Sequence, residues 1–339
     1  MKLLVTGGAG FIGSNFVHRT IATHPDWNLL VVDKLTYAGN LKNLESALNT
    51  SRCKFVQMDI CDPAIIDVLK GCGAVVHFAA ESHVDRSIED AAAFVRTNVD
   101  GTHNLIQASR QAGVPRFIHV STDEVYGSLG EEGEFTEESP IRPNSPYAAT
   151  KAASDLLVMA YVRTHRFPGI ITRCSNNYGP YQFPEKFIPL MIAQALAGQP
   201  LPVYGMGANI RDWIHVSDHC DAVDVVLQQG RLGDIYNIGG GREMRNLDVA
   251  RLILKALGRP ESLIEFVKDR PGHDLRYAIN CDKLHRETGW SAKISFEDGM
   301  ASTIDWYRNN QQWLDDVRSG AYRDYFDRHY LRRESTFAN

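Results

Sequence analysis

The strand-like run Lys2 to Thr6 passes directly into Gly7-Gly8-Ala9-Gly10-Phe11-Ile12-Gly13, and the pattern that follows predicts a helix from Gly13 to Thr23. A second apolar run, Asn28 to Val32, ends in Asp33, 20 residues beyond Gly13. Strand, glycine turn, helix and acid-tipped strand together restrict the chain to a parallel sheet with helices on its faces. Gly8, Gly10 and Gly13 match Gly-x-Gly-x-x-Gly, and Gly7, Gly10 and Gly13 match the wider Gly-x-x-Gly-x-x-Gly spacing. Either pattern alone is common, and a purely structural glycine turn would satisfy it. Its place between a strand and a helix makes it specific. Glycines there let a pyrophosphate approach the backbone N–H groups at the helix start. Asp33 would accept hydrogen bonds from both adenosine ribose hydroxyls and repel a 2′-phosphate, which predicts NAD rather than NADP.

Further strand-like runs at Lys54 to Met58, Ala74 to Phe78, Arg116 to Val120 and Gly169 to Arg173 alternate with helical patterns at Asp62 to Lys70, Ala91 to Ala112 and Pro146 to His165. The expected architecture is α/β, a doubly wound parallel Rossmann sheet with a smaller mixed α/β domain that binds substrate. Asp59 and Ile60, after the third strand, suit the adenine edge. Ala79, Ala80 and Glu81, after the fourth, suit the middle of the dinucleotide. After Cys174 the alternation stops, and Pro180, Pro184, Pro189, Pro200 and Pro202 come with aromatics and glycines. Trp213 to Val216, Asp218 to Gln229 and Ile235 to Ile238 again read like the first domain. The expected division is 1–175 with about 210–240 for the dinucleotide, and 176–209 with about 241–330 for the substrate. Leu331 to Asn339 is polar and expected to fray.

The balance of 36 Lys and Arg against 41 Asp and Glu, a formal charge of −5, provides no basic field for nucleic acid or an anionic membrane. Cys53, Cys61, Cys72, Cys174, Cys220 and Cys281 are scattered, without zinc-type spacing or a disulfide framework, which fits a reducing cytoplasm. Neither a leader nor an apolar run near 18 residues is present, so secretion and membrane spanning are not expected. No metal is expected either.

Chemistry concentrates in Thr122-Asp123-Glu124 and in Tyr147-Ala148-Ala149-Thr150-Lys151. A tyrosine and a lysine four apart share a helix face, where the ammonium lowers the phenol pKa so that the phenolate takes a proton from a substrate alcohol. Thr122 would hold that alcohol in line. Hydride transfer needs neither Asp123 nor Glu124. An acid and a base side by side are what removing water from adjacent carbons uses. The structural alternatives are an ordinary amphipathic helix for Tyr147 and Lys151, and two solvent-facing carboxylates for the pair.

With these residues in place, the sequence resembles the extended short-chain dehydrogenases/reductases and, among them, the dTDP-glucose 4,6-dehydratase family. The resemblance runs from Met1 to about Tyr330. It rests on Asp33 to Asn40, Ala79 to Ser87, Thr122 to Gly127, Asn176 to Pro184, Tyr204 to Trp213 and Asp269 to Tyr277. Phe187, Asn280 and the stretch Gly241 to Arg245 depart from the family's usual residues. The resemblance implies that Tyr147, with Lys151 and Thr122, takes the sugar C4 hydroxyl proton while hydride passes to NAD. It further implies that Glu124 removes the C5 proton, that Asp123 protonates the departing C6 hydroxyl, and that hydride returns to C6. NAD would stay tightly bound and be recycled in each turnover, and the product would be the 4-keto-6-deoxy sugar nucleotide, a branch point to rhamnose and other deoxysugars.

The implied cofactor contacts are Gly7, Gly10, Phe11, Ile12, Gly13, Asp33, Lys34, Leu35, Thr36, Asp59, Ile60, Ala79, Ala80, Glu81, Thr97, Tyr147, Lys151 and Asn177. The implied substrate contacts are His83, Thr122, Asn176, Lys186, Phe187, Pro202, Val203, Tyr204, Asn209, Arg211, Asn246, Asp269, Arg270 and His273. Arg211 and Arg270 offer guanidinium forks to a diphosphate. A homodimer is implied through a four-helix interface from Thr102 to Ala112 and Pro146 to His165, unless those apolar stripes only cover the sheet. Competing activities are a UDP-glucose 4,6-dehydratase, a 4-epimerase and a UDP-glucuronate decarboxylase, and Asp123-Glu124 argues against the last two. A non-catalytic NAD sensor would be expected to have lost Tyr147 or Lys151, and both are present.

Overall fold

The computed structural model describes residues 1–318, so Leu331 to Asn339 lie outside the described residues. The strands in chain order are β1 (Lys2–Thr6), β2 (Asn28–Asp33), β3 (Cys53–Gln57), β4 (Ala74–His77), β5 (Phe117–Thr122), β6 (Gly169–Cys174), β7 (Asn176–Tyr178), β8 (Leu201–Tyr204), β9 (Ile210–His215), β10 (Ile235–Ile238), β11 (Glu243–Arg245) and β12 (Ile264–Val267). Seven of them form one sheet in the order β10-β6-β5-β4-β1-β2-β3, and every pairing in it is parallel. A parallel sheet needs both faces covered, and the alternation of side chains along each strand supplies two apolar surfaces. On β1, Leu3 and Val5 join Phe16, Val17 and Val223 on one face, while Leu4 joins Leu105, Ile106 and Val158 on the other. A separate apolar core, holding Met191, Trp213, Ile253, Met300 and Tyr307, fills the second lobe around the small sheets β11-β9-β7 and β12-β8. Each large aliphatic or aromatic side chain removed from water there contributes about 1.5–3 kcal/mol.

The chain leaves β1 toward β2 on one side and reaches β4 on the other, so the ends of β1 and β4 mark the topological switch point where such sheets bind ligands. Two glycines shape that point. Gly7 has φ +69°, and a Cβ on it would lie 2.5 Å from Ala79 N, so the β1 turn and the β4 exit touch backbone to backbone. A Cβ on Gly13 would lie 2.8 Å from Gly8 Cα and collide with Gly7 O, so the Phe11–Thr23 helix closes directly onto its own turn.

Three segments differ from the sequence expectation. Trp213 to Val216 does not rejoin the large sheet: β9 is the middle strand of the small three-stranded sheet. The reason is its two-sided burial, with Trp213 in the second core while Ile214 and Val216 belong to the first. Ile235 to Ile238 does return, as edge strand β10 beside β6. The helical pattern Ala91 to Ala112 is broken by a π-helical stretch, Val95–Gly101, before regular helix resumes at Thr102–Gln111. Wide turns of this kind re-aim side chains, and here Asn98 is buried and clamps both the N–H and the C=O of Glu81, at 2.9 and 3.0 Å. Asp62 to Lys70 shortens to Ile65–Leu69, because the Asp62 carboxylate accepts the Ala64 N–H at 2.8 Å and spends the first residues on a turn.

Candidate active site

The cleft at the C-terminal ends of β1, β4, β5 and β6 is lined by Thr122, Asp123, Glu124, Tyr147 and Lys151, and by every expected cofactor residue except Leu35. Leu35, with φ 57°, packs on the first core and donates its N–H to the Asp33 carboxylate at 2.8 Å. The other Asp33 oxygen accepts from Ala9 N at 3.0 Å. Asp33 therefore ties the glycine turn to the tip of β2 while facing the cleft. Burial raises its carboxyl pKa, and backbone N–H groups oppose the rise. The backbone contact at Gly7, the carboxylate at Asp33 and the closed turn at Gly13 fit a dinucleotide in which a ribose diol meets Asp33. Replacing Asp33 with Ala is expected to weaken nucleotide retention about 10- to 100-fold, the worth of one or two hydrogen bonds to a charged acceptor. Denaturing the purified variant and assaying the released nucleotide checks this, and wild-type content would contradict it.

The helix carrying Tyr147 and Lys151, Pro146–His165, begins where its sequence says it should. Ser145 accepts from Ala148 N at 3.1 Å and Pro146 occupies the first turn. Ser87 Oγ accepts the Tyr147 N–H at 3.1 Å and the Phe94 ring lies edge-on at 6.4 Å, which fixes the phenol's base. One turn on, Lys151 Nζ donates to Val120 O at 2.8 Å inside the cleft. Burial pushes the Lys151 ammonium down to about 8, against the opposing pull of Asp155. Burial also drives the Tyr147 phenol well up, with the Glu124 charge adding to it and the Thr122 hydroxyl opposing it. An ionised Tyr147 thus depends on positive charge beside it.

Thr122 ends β5 and caps the short 3-10 turn Asp123–Tyr126, its Oγ1 accepting from Glu124 N at 3.3 Å. That turn points both carboxyl groups into the cleft instead of into solvent, which removes the solvent-facing alternative. Asp123 is 1% exposed and its Oδ2 is buried without a hydrogen-bond partner. Burial raises both carboxyl pKa values, yet their surroundings differ. Negative charge on Glu124 and Asp212 pushes Asp123 further up, with Arg211 and the Thr122 hydroxyl opposing, whereas Arg270, Lys186 and Arg211 pull Glu124 back down against Asp274. Of the two, the Asp123 carboxyl is the one raised further above its ordinary value.

Of the expected substrate residues, Thr122, Asn176 and Lys186 line this cleft, and Asn176 Oδ1 is buried without a hydrogen-bond partner. His83 is buried behind it, its Nε2 3.2 Å from Glu185 O, and burial pushes its pKa down to about 3, so the ring is neutral. Tyr204, Asn209, Arg211, Asn246, Asp269, Arg270 and His273 form a second group on the other lobe. Arg211 donates to Asp274 O at 2.9 Å and stacks over Tyr277 at 4.4 Å, while His273 meets Asp269 at 2.6 Å. Val203 is fully buried in the second core and Phe187 packs against it, so Val203 could meet a ligand only through its main chain. Pro202 sits beside it on β8.

Sequence reasoning missed Tyr37 and Glu185, which also line the cleft. Arg86 connects them: it pairs with Glu185 at 2.8 Å and lies over the Tyr37 ring at 4.0 Å. Tyr37 and Arg86 belong to stretches that carried the resemblance and Glu185 directly follows one, but no spacing along the chain couples positions 86 and 185. His215 and His219 do have an i, i+4 spacing, yet His215 caps its own helix by accepting from Ser217 N. No group of residues suited to a metal ion is found among the described residues.

The family model described as GDP-mannose 4,6 dehydratase matches residues 4–303. A dTDP-glucose 4,6-dehydratase from Streptomyces niveus is 52% identical over 324 residues, 94% of this chain and 96% of that protein. The chain belongs to the dTDP-glucose 4,6-dehydratase family. Within that family, the crystal structure of DesIV from Streptomyces venezuelae, with NAD and TYD bound, matches with a TM-score of 0.92 at 52% identity, covering 94% of this chain and 100% of that one. A UDP-glucuronic acid 4-epimerase from Bacillus cereus, in complex with UDP-glucuronic acid and NAD, shares the fold with a TM-score of 0.87 at 28% identity, covering 91% and 99%. Family members with the dehydratase activity are therefore nearly twice as identical to this chain as that epimerase.

Proposed function

We propose that the chain dehydrates dTDP-glucose to dTDP-4-keto-6-deoxy-glucose, and the observation that carries this is the pair Asp123, buried, and Glu124, half-buried, facing the same cleft as Tyr147, Lys151 and Thr122. NAD, when bound at Gly7–Gly13 and Asp33, supplies an acceptor for the C4 hydride and the same hydride for C6. Tyr147 removes the C4 hydroxyl proton, Thr122 orients that hydroxyl, and the Lys151 ammonium offsets the phenolate. The new ketone acidifies C5. Glu124, drawn toward its ionised form by three cations, takes the C5 proton, the protonated Asp123 gives its proton to the C6 hydroxyl as water leaves, and when hydride has returned to C6 Glu124 gives C5 a proton that has exchanged with solvent. The remaining assigned residues, from Thr97 and Asn177 on the cofactor side to Asn209 and Asn246 on the substrate side, serve binding in this reading. His83, His273, Arg211 and Arg270 are assigned to the diphosphate and sugar in this reading. In this reading the first 175 residues, with the Val216–Gln229 helix, β10 and the Asp282–Thr288 helix whose Leu284 joins the first core, are assigned to the cofactor, and the rest of the described chain to the substrate.

The test is incubation with dTDP-glucose and, separately, UDP-glucose in deuterated water. Loss of one water and gain of one deuterium at C5 from dTDP-glucose is the expected result. The same change from UDP-glucose alone would move the nucleotide, and an unchanged mass with both would favour an epimerase or a sensor.

A homodimer in a reducing cytoplasm completes the reading. All six cysteines are free. Leu105, Ile106 and Ala108 of the Thr102–Gln111 helix cover the sheet, so that helix presents no apolar face outward. Outward apolar surface comes instead from Leu156, 58% exposed, and from Val95, 46% exposed. Leu156→Glu is expected to convert a dimer into monomers by sizing chromatography, and an unchanged elution volume would remove this face as the interface.

A further inference from the structure

Asp85 falls within the Ala79 to Ser87 stretch, does not line the catalytic cleft, and has no role in the chemistry above. It stands in the first turn of the short helix Val84–Glu89, which follows β4 on the cofactor half, and it is 5% exposed. Both of its oxygens reach the other lobe. Oδ2 accepts the Tyr204 hydroxyl at 2.7 Å, and Oδ1 takes Arg270 Nη1 at 3.3 Å. Tyr204 ends β8 and Arg270 follows β12, so one buried carboxylate joins two substrate-half segments to the cofactor half. Arg270 is held from its Nη1 side, and its Nε is buried without a hydrogen-bond partner. A guanidinium fixed at one corner presents the rest of its fork already oriented, the arrangement that bidentate recognition of a phosphate needs. Arg211 shows the same design, with its Nη atoms on the carbonyls of Ile210 and Asp274.

We propose that Asp85 is a positioning residue for the substrate diphosphate, holding Arg270 and Tyr204 across the boundary between the lobes so that the guanidinium meets the anion pre-oriented. This rests on the nucleotide-sugar reading above. Two consequences of Asp85 have opposite signs. Its negative charge repels a diphosphate, and its hydrogen bonds spare the ordering of Arg270 and Tyr204 on binding. The Asp85 charge is already paired with Arg270, so its repulsion of a bound anion is largely offset, ordering dominates, and removing the carboxylate weakens binding.

Asp85→Asn in the NAD-loaded protein tests this. The dissociation constant for dTDP by calorimetry and the KM for dTDP-glucose are each expected to rise about tenfold or more, the worth of one charge-assisted hydrogen bond. kcat, NAD content and melting temperature are expected to stay near wild type. Adding Asp85→Asn to Arg270→Gln is expected to weaken dTDP binding clearly less than Asp85→Asn does alone, because only the Tyr204 contact is then left for Asp85 to hold. Tighter or unchanged dTDP binding in the folded variant, or the same tenfold loss on the Arg270→Gln background, overturns the proposal. Asp85→Glu keeps the charge and moves the carboxylate by one methylene. Weakened dTDP binding in that variant supports positioning, and wild-type binding overturns it. Wild-type protein that binds dTDP without dehydrating dTDP-glucose would overturn the proposed activity and leave this binding comparison in force.

Discussion

Replacing Tyr147 with Phe is expected to abolish oxidation at C4, lowering its single-turnover rate roughly 10²- to 10⁴-fold, the usual worth of a positioned proton acceptor. Fold and nucleotide binding should survive. The Tyr147 ring is buried and fixed by its backbone N–H on Ser87 and by the Phe94 ring, and a phenyl ring keeps both contacts. Only the hydroxyl is lost, and with it the proton acceptor that the proposed mechanism pairs with the Lys151 ammonium. Burial pushes that ammonium down to about 8, so Lys151 is charged below that pH and loses its charge as pH rises through it. The readout is the nicotinamide absorbance after mixing with dTDP-glucose. A wild-type rate in the Phe variant would remove Tyr147 from its role.

The carboxyl pair should separate into two phenotypes. Glu124→Gln removes the group that takes the C5 proton, so oxidation proceeds while turnover falls by roughly 10²- to 10⁴-fold and C5 stops exchanging with solvent. Asp123→Asn removes the proton donor to C6. Turnover falls similarly, but C5 exchange continues because Glu124 is intact. This contrast follows from the surroundings. Asp123 is pushed up by burial and by two neighbouring carboxylates, and Glu124 is drawn back by Arg270, Lys186 and Arg211. Oxidation is monitored by absorbance, exchange by mass of recovered substrate and product in deuterated water. Full C5 exchange in Glu124→Gln would assign the base to another residue.

Much of this was legible in the chain because the relevant physics is local. The turn from Gly7 to Gly13, the acid at the tip of β2 and the capped start of the Pro146–His165 helix each depend on residues a few positions apart, and the cleft unites them as their spacing implied. Where the outcome depended on distant packing, the sequence misled. Trp213 to Val216 has the texture of a strand of the large sheet, yet the Trp213 side chain fills the second core and draws β9 into the small sheet. The Thr102–Gln111 helix carries an apolar stripe that could cover a partner or the sheet, and only the contacts of Leu105 and Ile106 show that it covers the sheet. The links from Asp85 to Arg270 and from Arg86 to Glu185 span 185 and 99 residues, and no motif encodes such distances.

The central claim is that oxidation, elimination and reduction take place in one site without release of the sugar or of the cofactor. It is tested most directly by mixing dTDP-glucose deuterated at C4 with dTDP-glucose whose ring carbons are carbon-13, and reading the product masses. The expected result is deuterium at C6 only in product molecules with ordinary carbon. Deuterium at C6 of the carbon-13 product would show that hydride passes between substrate molecules, and absence of deuterium from C6 in both would show that the C4 hydrogen is not the one returned.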